Sequence, residues 1–220
     1  FAVNSETKWI EAREIEERYK AIPVDKITSH PPTMVGVDLS VRDDFSTVTY
    51  NIYSPDTKSF HSVTDYYFPE GALPGHPNRE LYEGWVKAGY LKLCPGEVID
   101  YEMIVTDILA RAKYLKILGI GYDPYKSAEF VNLLSASTGD ASDYIQPVKQ
   151  TYGSFTSPIE SFELALHRNR MTFDPNPITP YCFGNAVLDE DRNMNKKPVK
   201  RTHNSKIDST ITNLMTFNLF

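Results

Sequence analysis

The early part of the chain has short runs of hydrophobic and β-branched residues separated by polar turns. Three successive runs are rich in Val, Thr, Tyr and Phe and predict strands: Met34 to Leu39, Ser46 to Tyr53, and Ser59 to Phe68. The connection SPDTK between the second and third strands has the composition of a turn, and the connection SVRDDF before them is short. The pattern therefore predicts an antiparallel meander of three strands.

The remainder of the chain alternates between helical and strand-like patterns. Apolar residues recur at helical spacing in six segments, Arg79 to Lys87, Asp100 to Lys116, Lys126 to Ala136, Thr156 to Arg168, Thr179 to Leu188 and Lys206 to Leu219. The apolar run ILGIGYDP, from Ile117 to Pro124, predicts a strand buried on both faces, and Tyr144 to Val148 predicts another. A meander followed by this alternation predicts an α/β fold, a mixed sheet with helices on both faces.

The first 33 residues differ from the rest. Ser5 to Tyr19 has the spacing of a helix with Ser5 as N-cap, and a spacer with three prolines follows, from Ala21 to Thr33. We predict residues 1–33 as a helix and spacer and residues 34–220 as one domain. The helix can be a tether to a preceding domain or a terminal helix packed on this one, and the pattern does not separate the two.

Composition narrows the class of protein. The chain has 220 residues, 41% of them hydrophobic and 24% charged, which is typical of a soluble globular protein. No apolar run approaches the roughly 18 residues of a membrane span, and the start lacks the pattern of a signal peptide, so a soluble intracellular protein is expected. Cys94 and Cys182 have no metal-ligand spacing and are interpreted as reduced thiols. Gly119 and Gly121 form no phosphate-binding motif, so no organic cofactor is predicted.

Three aspartates lie at the ends of predicted elements. Asp38 closes the first strand, Asp123 follows the apolar run ILGIGY, and Asp208 opens the last helical segment. The order of elements resembles that of ribonuclease H-like domains, in which the first and fourth strands are neighbours. That resemblance implies that Asp38 and Asp123 lie side by side and that a helix on the sheet brings in a third acid.

Three converging carboxylates repel one another unless a cation compensates them, and oxygen ligands favour Mg²⁺ or Mn²⁺. Two such ions can activate water and stabilise the leaving oxygen of a phosphodiester, so hydrolysis of a nucleic-acid backbone is the predicted reaction. Asp44 is a candidate supporting ligand. Taken singly, Asp38 could instead cap a turn, Asp123 could form an Asx-turn before a proline, and Asp208 could interact with the helix dipole.

A basic stretch directly precedes Asp208. Its candidate DNA-binding residues are Lys196, Lys197, Lys200, Arg201 and Lys206. They predict a loop or hairpin that follows phosphates beside the cleavage site, although a mobile surface loop has the same composition. The net charge of −6 argues against a protein that coats nucleic acid, but not against nucleic acid as a substrate, because bound divalent ions change the local charge.

Five segments carry a resemblance to a known family: GVDLSVRDDFSTV, YYFPEG, ELYEGWVKAGYLKLCPGEVIDY, ILGIGYDPYKS and the final KIDS. Their order resembles the carboxyl-terminal nuclease half of the large terminase subunits of tailed bacteriophages, from about Met34 to the end. One departure is that Ser209 and Thr210 follow KID, where family members often have Gly or Ala. This departure affects only the expected packing of the last helix.

The resemblance implies a metal-dependent endonuclease that cuts concatemeric double-stranded viral DNA during packaging, with Asp38, Asp123 and Asp208 as the catalytic acids. It implies an ATPase domain in the same chain, which agrees with a start at Phe1 rather than Met. The implied partners are the portal and the small terminase subunit, and the implied location is the cytoplasm of the bacterial host, with no membrane contact.

Two alternatives remain. The domain could be a non-catalytic docking module that uses exposed aromatic residues, with Tyr66, Tyr67, Phe68 and Trp85 as candidate anchors. It could also be another ribonuclease H-like nuclease, such as a junction resolvase.

Overall fold

A computed structural model gives the fold and describes residues 8–42, 44–125, 127–139 and 144–220. The described residues form a seven-stranded mixed sheet with helices on both faces and a separate two-stranded hairpin. The predicted α/β class with a mixed sheet is confirmed. No helix in these ranges has the length and apolar character needed to cross a bilayer.

The helices and strands follow in the order α1 (Ala12–Glu16), β1 (Pro32–Asp38), β2 (Ser46–Ser54), β3 (Ser59–Pro69), α2 (Arg79–Lys87), β4 (Lys92–Cys94), α3 (Tyr101–Ala112), β5 (Lys116–Tyr122), α4 (Ala128–Thr138), β6 (Ile145–Pro147), α5 (Tyr152–His167), β7 (Met171–Phe173), α6 (Ile178–Gly184), β8 (Ala186–Glu190), β9 (Lys196–Lys200) and α7 (Asp208–Leu219). Short 3₁₀ turns lie at Val24–Lys26 and Glu70–Ala72.

The sheet has the strand order β4-β3-β2-β1-β5-β6, and β7 pairs with β3. β1, β2 and β3 form the predicted antiparallel meander, and β5 lies parallel to β1 with Tyr122 opposite Val37. β6 continues the parallel part beside β5. Because parallel strands end at the same edge of a sheet, the carboxyl ends of β1, β5 and β6 meet there.

One face of the sheet is covered by α3 and α4 through an apolar core. Val35, Val48 and Ile120 belong to the same buried cluster as Ile104 of α3 and Phe130 of α4. These sheet residues alternate in sequence with residues of the opposite face, as the period of a strand requires. This side of the sheet is therefore stabilised mainly by hydrophobic burial.

The opposite face contacts α7 through polar side chains. The shortest hydrogen bonds that join α7 to the meander in the described structure run from Thr49 to Thr212 (2.7 Å), Asn51 to Thr216 (3.0 Å) and Ser62 to Asn213 (2.7 Å). We call these six residues the polar seam. Gly36 of β1 allows close contact, because a Cβ atom there would lie 2.2 Å from the carbonyl oxygen of Thr212. α7 is thus held close to the sheet and in one register.

The amino-terminal helix is shorter than predicted. α1 covers only Ala12–Glu16 and begins after Glu11, which forms a capping box with Glu14. Its Ile15 is fully buried in the cluster that contains Phe173 of β7 and Phe183 of α6, so α1 packs on the domain. Two residues that were predicted to begin helices, Ser5 and Lys126, lie outside the described residues.

Two other predictions need correction, and two short strands were missed. Thr179 to Leu188 is not one helix, because α6 ends at Gly184 and the next residues pair with β9 as β8. β5 is buried on both faces only in its second half, and Leu118 is 38% exposed. The three-residue strands β4 and β7 were not predicted, since three residues are too few to display a period.

Candidate functional site

Asp38 and Asp123 lie side by side where β1 and β5 end. The backbone N–H of Asp123 donates to the carbonyl of Val37 at 3.3 Å, which places the two acids on adjacent strands. Both side chains are partly buried. The backbone N–H of Tyr125 donates to Asp123 Oδ1 at 2.9 Å, so the Asx-turn considered from the sequence is also present. That turn engages Oδ1 of Asp123 and orients the carboxylate.

Asp208 is the first residue of α7 and reaches the same edge from the face covered by that helix. It is only 6% exposed, and among the described residues its Oδ2 atom has no hydrogen-bond partner. Asp38, Asp44 and Asp208 line one cavity of about 200 Å³. A buried carboxylate oxygen without a donor carries a desolvation cost that a cation in the cavity would relieve.

Gln150, which was not predicted from the sequence, also belongs to this cluster. Its amide Nε2 donates to Asp123 Oδ2 at 2.5 Å and lies 3.5 Å from Asp38 Oδ1. The N–H of Val148 donates to the carbonyl of Tyr122 at 2.8 Å, which keeps the segment after β6 aligned with β5. Its position could have indicated this role, because Gln150 follows the third parallel strand at the edge where Asp38 and Asp123 lie.

Asp44 is held by two lysines. Lys200 Nζ donates to its Oδ2 and Lys206 Nζ to its Oδ1, each at 2.8 Å. Burial would raise the pKa of the Asp44 carboxyl, but attraction to Lys206 and Lys200 outweighs it and lowers that pKa. With both oxygens in ion pairs, Asp44 is placed beside the cluster, and ligation of a metal by it would require a lysine to leave.

The carboxyls facing the cavity are perturbed in the opposite direction. Burial raises the pKa of Asp38 to about 7, and the negative charges of Asp123 and Asp44 add to the rise. Burial, followed by the charges of Asp44 and Asp38, raises the pKa of Asp208 well above its ordinary value. Both shifts arise first from burial, which disfavours the charged carboxylate, and then from repulsion by the neighbouring acids.

The donors fit a hard divalent cation in chemistry, since they are carboxylate oxygens and one of them is buried with no partner in the described part of the chain. Within the described ranges, however, no group of three or more His, Cys, Asp or Glu side chains is arranged as a metal-binding cluster. Gln150 contacts both Asp123 and Asp38, and Asp208 approaches from α7. Ligation by all three acids therefore requires side-chain movement that includes Gln150.

The basic stretch forms a hairpin, not an irregular loop. Lys196, Lys197 and Lys200 lie on β9, which pairs with β8, and Arg201 follows it in an exposed position. Lys196 is fixed to α5, since its N–H donates to Thr156 Oγ1 at 2.8 Å.

Of the five predicted DNA-binding residues, Lys200 and Lys206 reach the acids through Asp44. Both lysines also line an open cleft of about 620 Å³ beside the acids, together with Arg42, His203 and Tyr125. The cleft gives a basic approach to the acidic edge.

Comparison with known proteins identifies the family. The family model described as "Terminase large subunit, endonuclease domain" matches residues 1–220. The chain is 28% identical over 140 residues to Protein YmfN of Escherichia coli K12, covering 62% of the chain and 30% of that protein. It is 23% identical over 185 residues to the large terminase subunit of Enterobacteria phage HK97, covering 82% of the chain and 36% of that protein. The chain thus spans about a third of the length of these curated relatives.

Solved structures agree on the fold. The HK97 bacteriophage large terminase superposes with a TM-score of 0.84 at 20% identity, over 97% of this chain and 44% of that one. The magnesium-bound large terminase nuclease of thermophilic phage G20c gives 0.58 at 8% identity, over 96% and 98% of the two chains. The manganese-bound g2p nuclease domain of bacteriophage SPP1 gives 0.51 at 13% identity, over 91% and 93%.

Proposed function

The chain belongs to the family of terminase large subunit endonuclease domains, and we propose that it is a divalent-metal-dependent endonuclease that cuts concatemeric double-stranded viral DNA during genome packaging. The observation that supports the proposal is that Asp38 lies beside Asp123 at one sheet edge and shares a cavity with Asp208, whose buried Oδ2 has no partner among the described residues. The magnesium-bound G20c nuclease and the manganese-bound SPP1 nuclease support the choice of Mg²⁺ or Mn²⁺.

In this proposal Asp38, Asp123 and Asp208 would hold two ions, and Asp44 would add a ligand after it leaves its lysines. The ions, when bound, supply activation of the attacking water and stabilisation of the leaving oxygen. The chain's own contribution is to bury Asp208 at the start of α7, which limits access of bulk water to that side of the cluster. Lys200 and Lys206 offset part of the negative charge beside the phosphate that approaches.

DNA would reach the acids along the basic cleft and the β8–β9 hairpin. Along this path lie the five proposed DNA-binding residues, Lys196, Lys197, Lys200, Arg201 and Lys206. Contacts of Lys and Arg with phosphate position a duplex without reading its sequence, so these residues are proposed to give affinity and register. Recognition of particular sites is assigned to other parts of the packaging machine.

The proposal includes the surroundings of the domain. Residues 1–33 are proposed as the connection from an ATPase domain of the same chain to a nuclease domain of residues 34–220, with α1 anchoring that connection. The portal and the small terminase subunit are the proposed protein partners, in the cytoplasm of the bacterial host.

The docking-module alternative receives less support from the structure. Its proposed aromatic anchors are buried: Tyr66, Tyr67 and Phe68 are fully inaccessible, and Trp85 is 8% exposed. A junction resolvase would share the acids, and it is distinguished by comparing cutting of branched and linear duplexes.

Cleavage of supercoiled plasmid with Mn²⁺ or Mg²⁺ tests the catalytic acids. Asp38→Asn, Asp123→Asn and Asp208→Asn should each abolish nicking, because the amide removes a charged oxygen ligand. Asp56→Asn is the matched control, since Asp56 is exposed in the turn between β2 and β3. Unchanged nicking by all three site variants would refute the assignment.

A further inference from the structure

Gln150 is an uncharged side chain that contacts two of the proposed metal-holding acids. Its amide nitrogen lies 2.5 Å from Asp123 Oδ2 and 3.5 Å from Asp38 Oδ1, and the side chain lines the cavity that contains Asp208. These contacts connect the end of the third parallel strand to the ends of the first two.

Hydrogen-bond chemistry determines which end of the Gln150 amide faces the two acids. A carboxylate only accepts hydrogen bonds, so the Gln150 NH₂ group, and not its carbonyl oxygen, must face Asp123 and Asp38. One NH₂ group carries two hydrogens and can serve both acids at once. It presents partial positive charge to the two carboxylates, as a bound cation would. The amide and an ion shared by Asp38 and Asp123 therefore compete for the same carboxylate oxygens.

We propose that Gln150 is a positioning residue that bridges Asp38 and Asp123 in the metal-free protein and is displaced when an ion binds between them. This inference rests on the proposed metal site. Gln150 keeps the acid pair together without metal, and it lowers metal affinity because its hydrogen bonds must break first. The site then binds metal only when the metal concentration is high enough, or when a phosphate in the cleft binds together with the metal, to compensate for the lost hydrogen bonds of Gln150.

The alternative role for Gln150, that of a metal ligand, predicts the opposite change in metal affinity. If Gln150 turned its carbonyl oxygen to the ion, it would be a ligand, and its removal would weaken metal binding. Removal of a displaced bridge instead tightens binding, because the metal-free acids then repel each other without compensation. The loss of hydrogen bonds to charged groups predicts tightening of roughly tenfold.

Calorimetric titration of the whole chain with Mn²⁺ tests the proposal. Gln150→Ala and Gln150→Met should each bind Mn²⁺ roughly tenfold more tightly and unfold at a lower temperature without metal. Methionine is close to glutamine in length but has no amide, so Gln150→Met preserves packing if the alanine variant misfolds. Gln146→Ala is the matched control, because Gln146 is exposed on the same segment, on β6, and should change neither quantity.

The outcomes separate this inference from the proposed function. Weaker Mn²⁺ binding by the Gln150 variants would identify a ligand and overturn displacement, and unchanged binding would overturn any role in loading. If the unsubstituted chain itself binds no Mn²⁺, or if Asp38→Asn and Asp123→Asn leave its affinity unchanged, the metal site fails and this inference fails with it.

Discussion

Gly36→Ala is predicted to separate α7 from the sheet and so to move Asp208 away from the site. An added Cβ would lie 2.2 Å from the carbonyl oxygen of Thr212 and 3.2 Å from Cβ of Met215. The closest obstacle is helix backbone, which cannot rotate aside like the end of a flexible side chain. Relief therefore requires that α7 or β1 shift as a unit.

The expected losses of folding free energy and of cleavage rate follow from this overlap. Restoring ordinary contact needs a shift of about 1 Å between β1 and α7, and overpacking of this kind costs about 1 to 3 kcal/mol of folding free energy. Asp38 lies two residues beyond Gly36 on β1, and Asp208 lies one turn before Thr212 on α7. A misplacement of about 1 Å in a catalytic group can reduce the rate about a hundredfold.

Urea unfolding and plasmid nicking measure the two consequences separately. Gly36→Ala should lower the unfolding midpoint and reduce nicking more than the loss of folded protein explains. Gly84→Ala is the matched control: Gly84 lies within α2, and nothing stands within 4 Å of its Cβ position. Alanine there should stabilise by about 1 kcal/mol, because glycine disfavours helix. A Gly36→Ala variant with native stability and native nicking would refute the close approach of α7.

Two further predictions concern charge. Because the pKa of Asp38 is raised from 3.8 to about 7, the folded metal-free chain binds more protons than the unfolded chain between those values, so stability should fall as pH rises across that range, and the raised pKa of Asp208 acts in the same direction. Asp38→Asn should flatten this dependence in urea unfolding at several pH values, and the opposite slope would contradict the burial of Asp38. For DNA, Arg201→Ala should weaken duplex binding and reduce the slope of log K against log salt by about 1 in fluorescence anisotropy. The exposed Lys87→Ala serves as control, and equal slopes for both variants would remove Arg201 from the DNA path.

The sequence predicted the elements whose signal is local. The meander strands were placed within two residues of their observed ends, and α2 has the predicted bounds Arg79–Lys87. α6 and β8 were merged because a short apolar run such as Ala186–Leu188 has no period that separates helix from strand. Only pairing with β9, a contact between segments, makes that run a strand.

The residues of the candidate site likewise divide into those with a local signal in the sequence and those placed by contacts between segments. Asp38 and Asp123 were found because an acid at the end of a buried strand is visible locally, and the parallel pairing of β1 and β5 then makes them neighbours. Gln150 was missed because it is neutral and follows a strand of only three residues. Its relation to the acids depends on how β6 pairs with β5, which composition does not reveal.

The position of Asp208 depends on how the protein stabilises α7. Every residue from Asp208 to Phe217 is buried, yet the side facing the meander carries the polar seam in place of an apolar stripe. Apolar contacts tolerate sliding of a helix along a sheet, whereas directional hydrogen bonds between buried groups are satisfied in one register only. Gly36 sets the distance of α7 from β1, and the seam sets its position along the sheet. Together they determine where the first residue of the helix lies, which explains why a helix that carries an acid to the site is packed through polar groups.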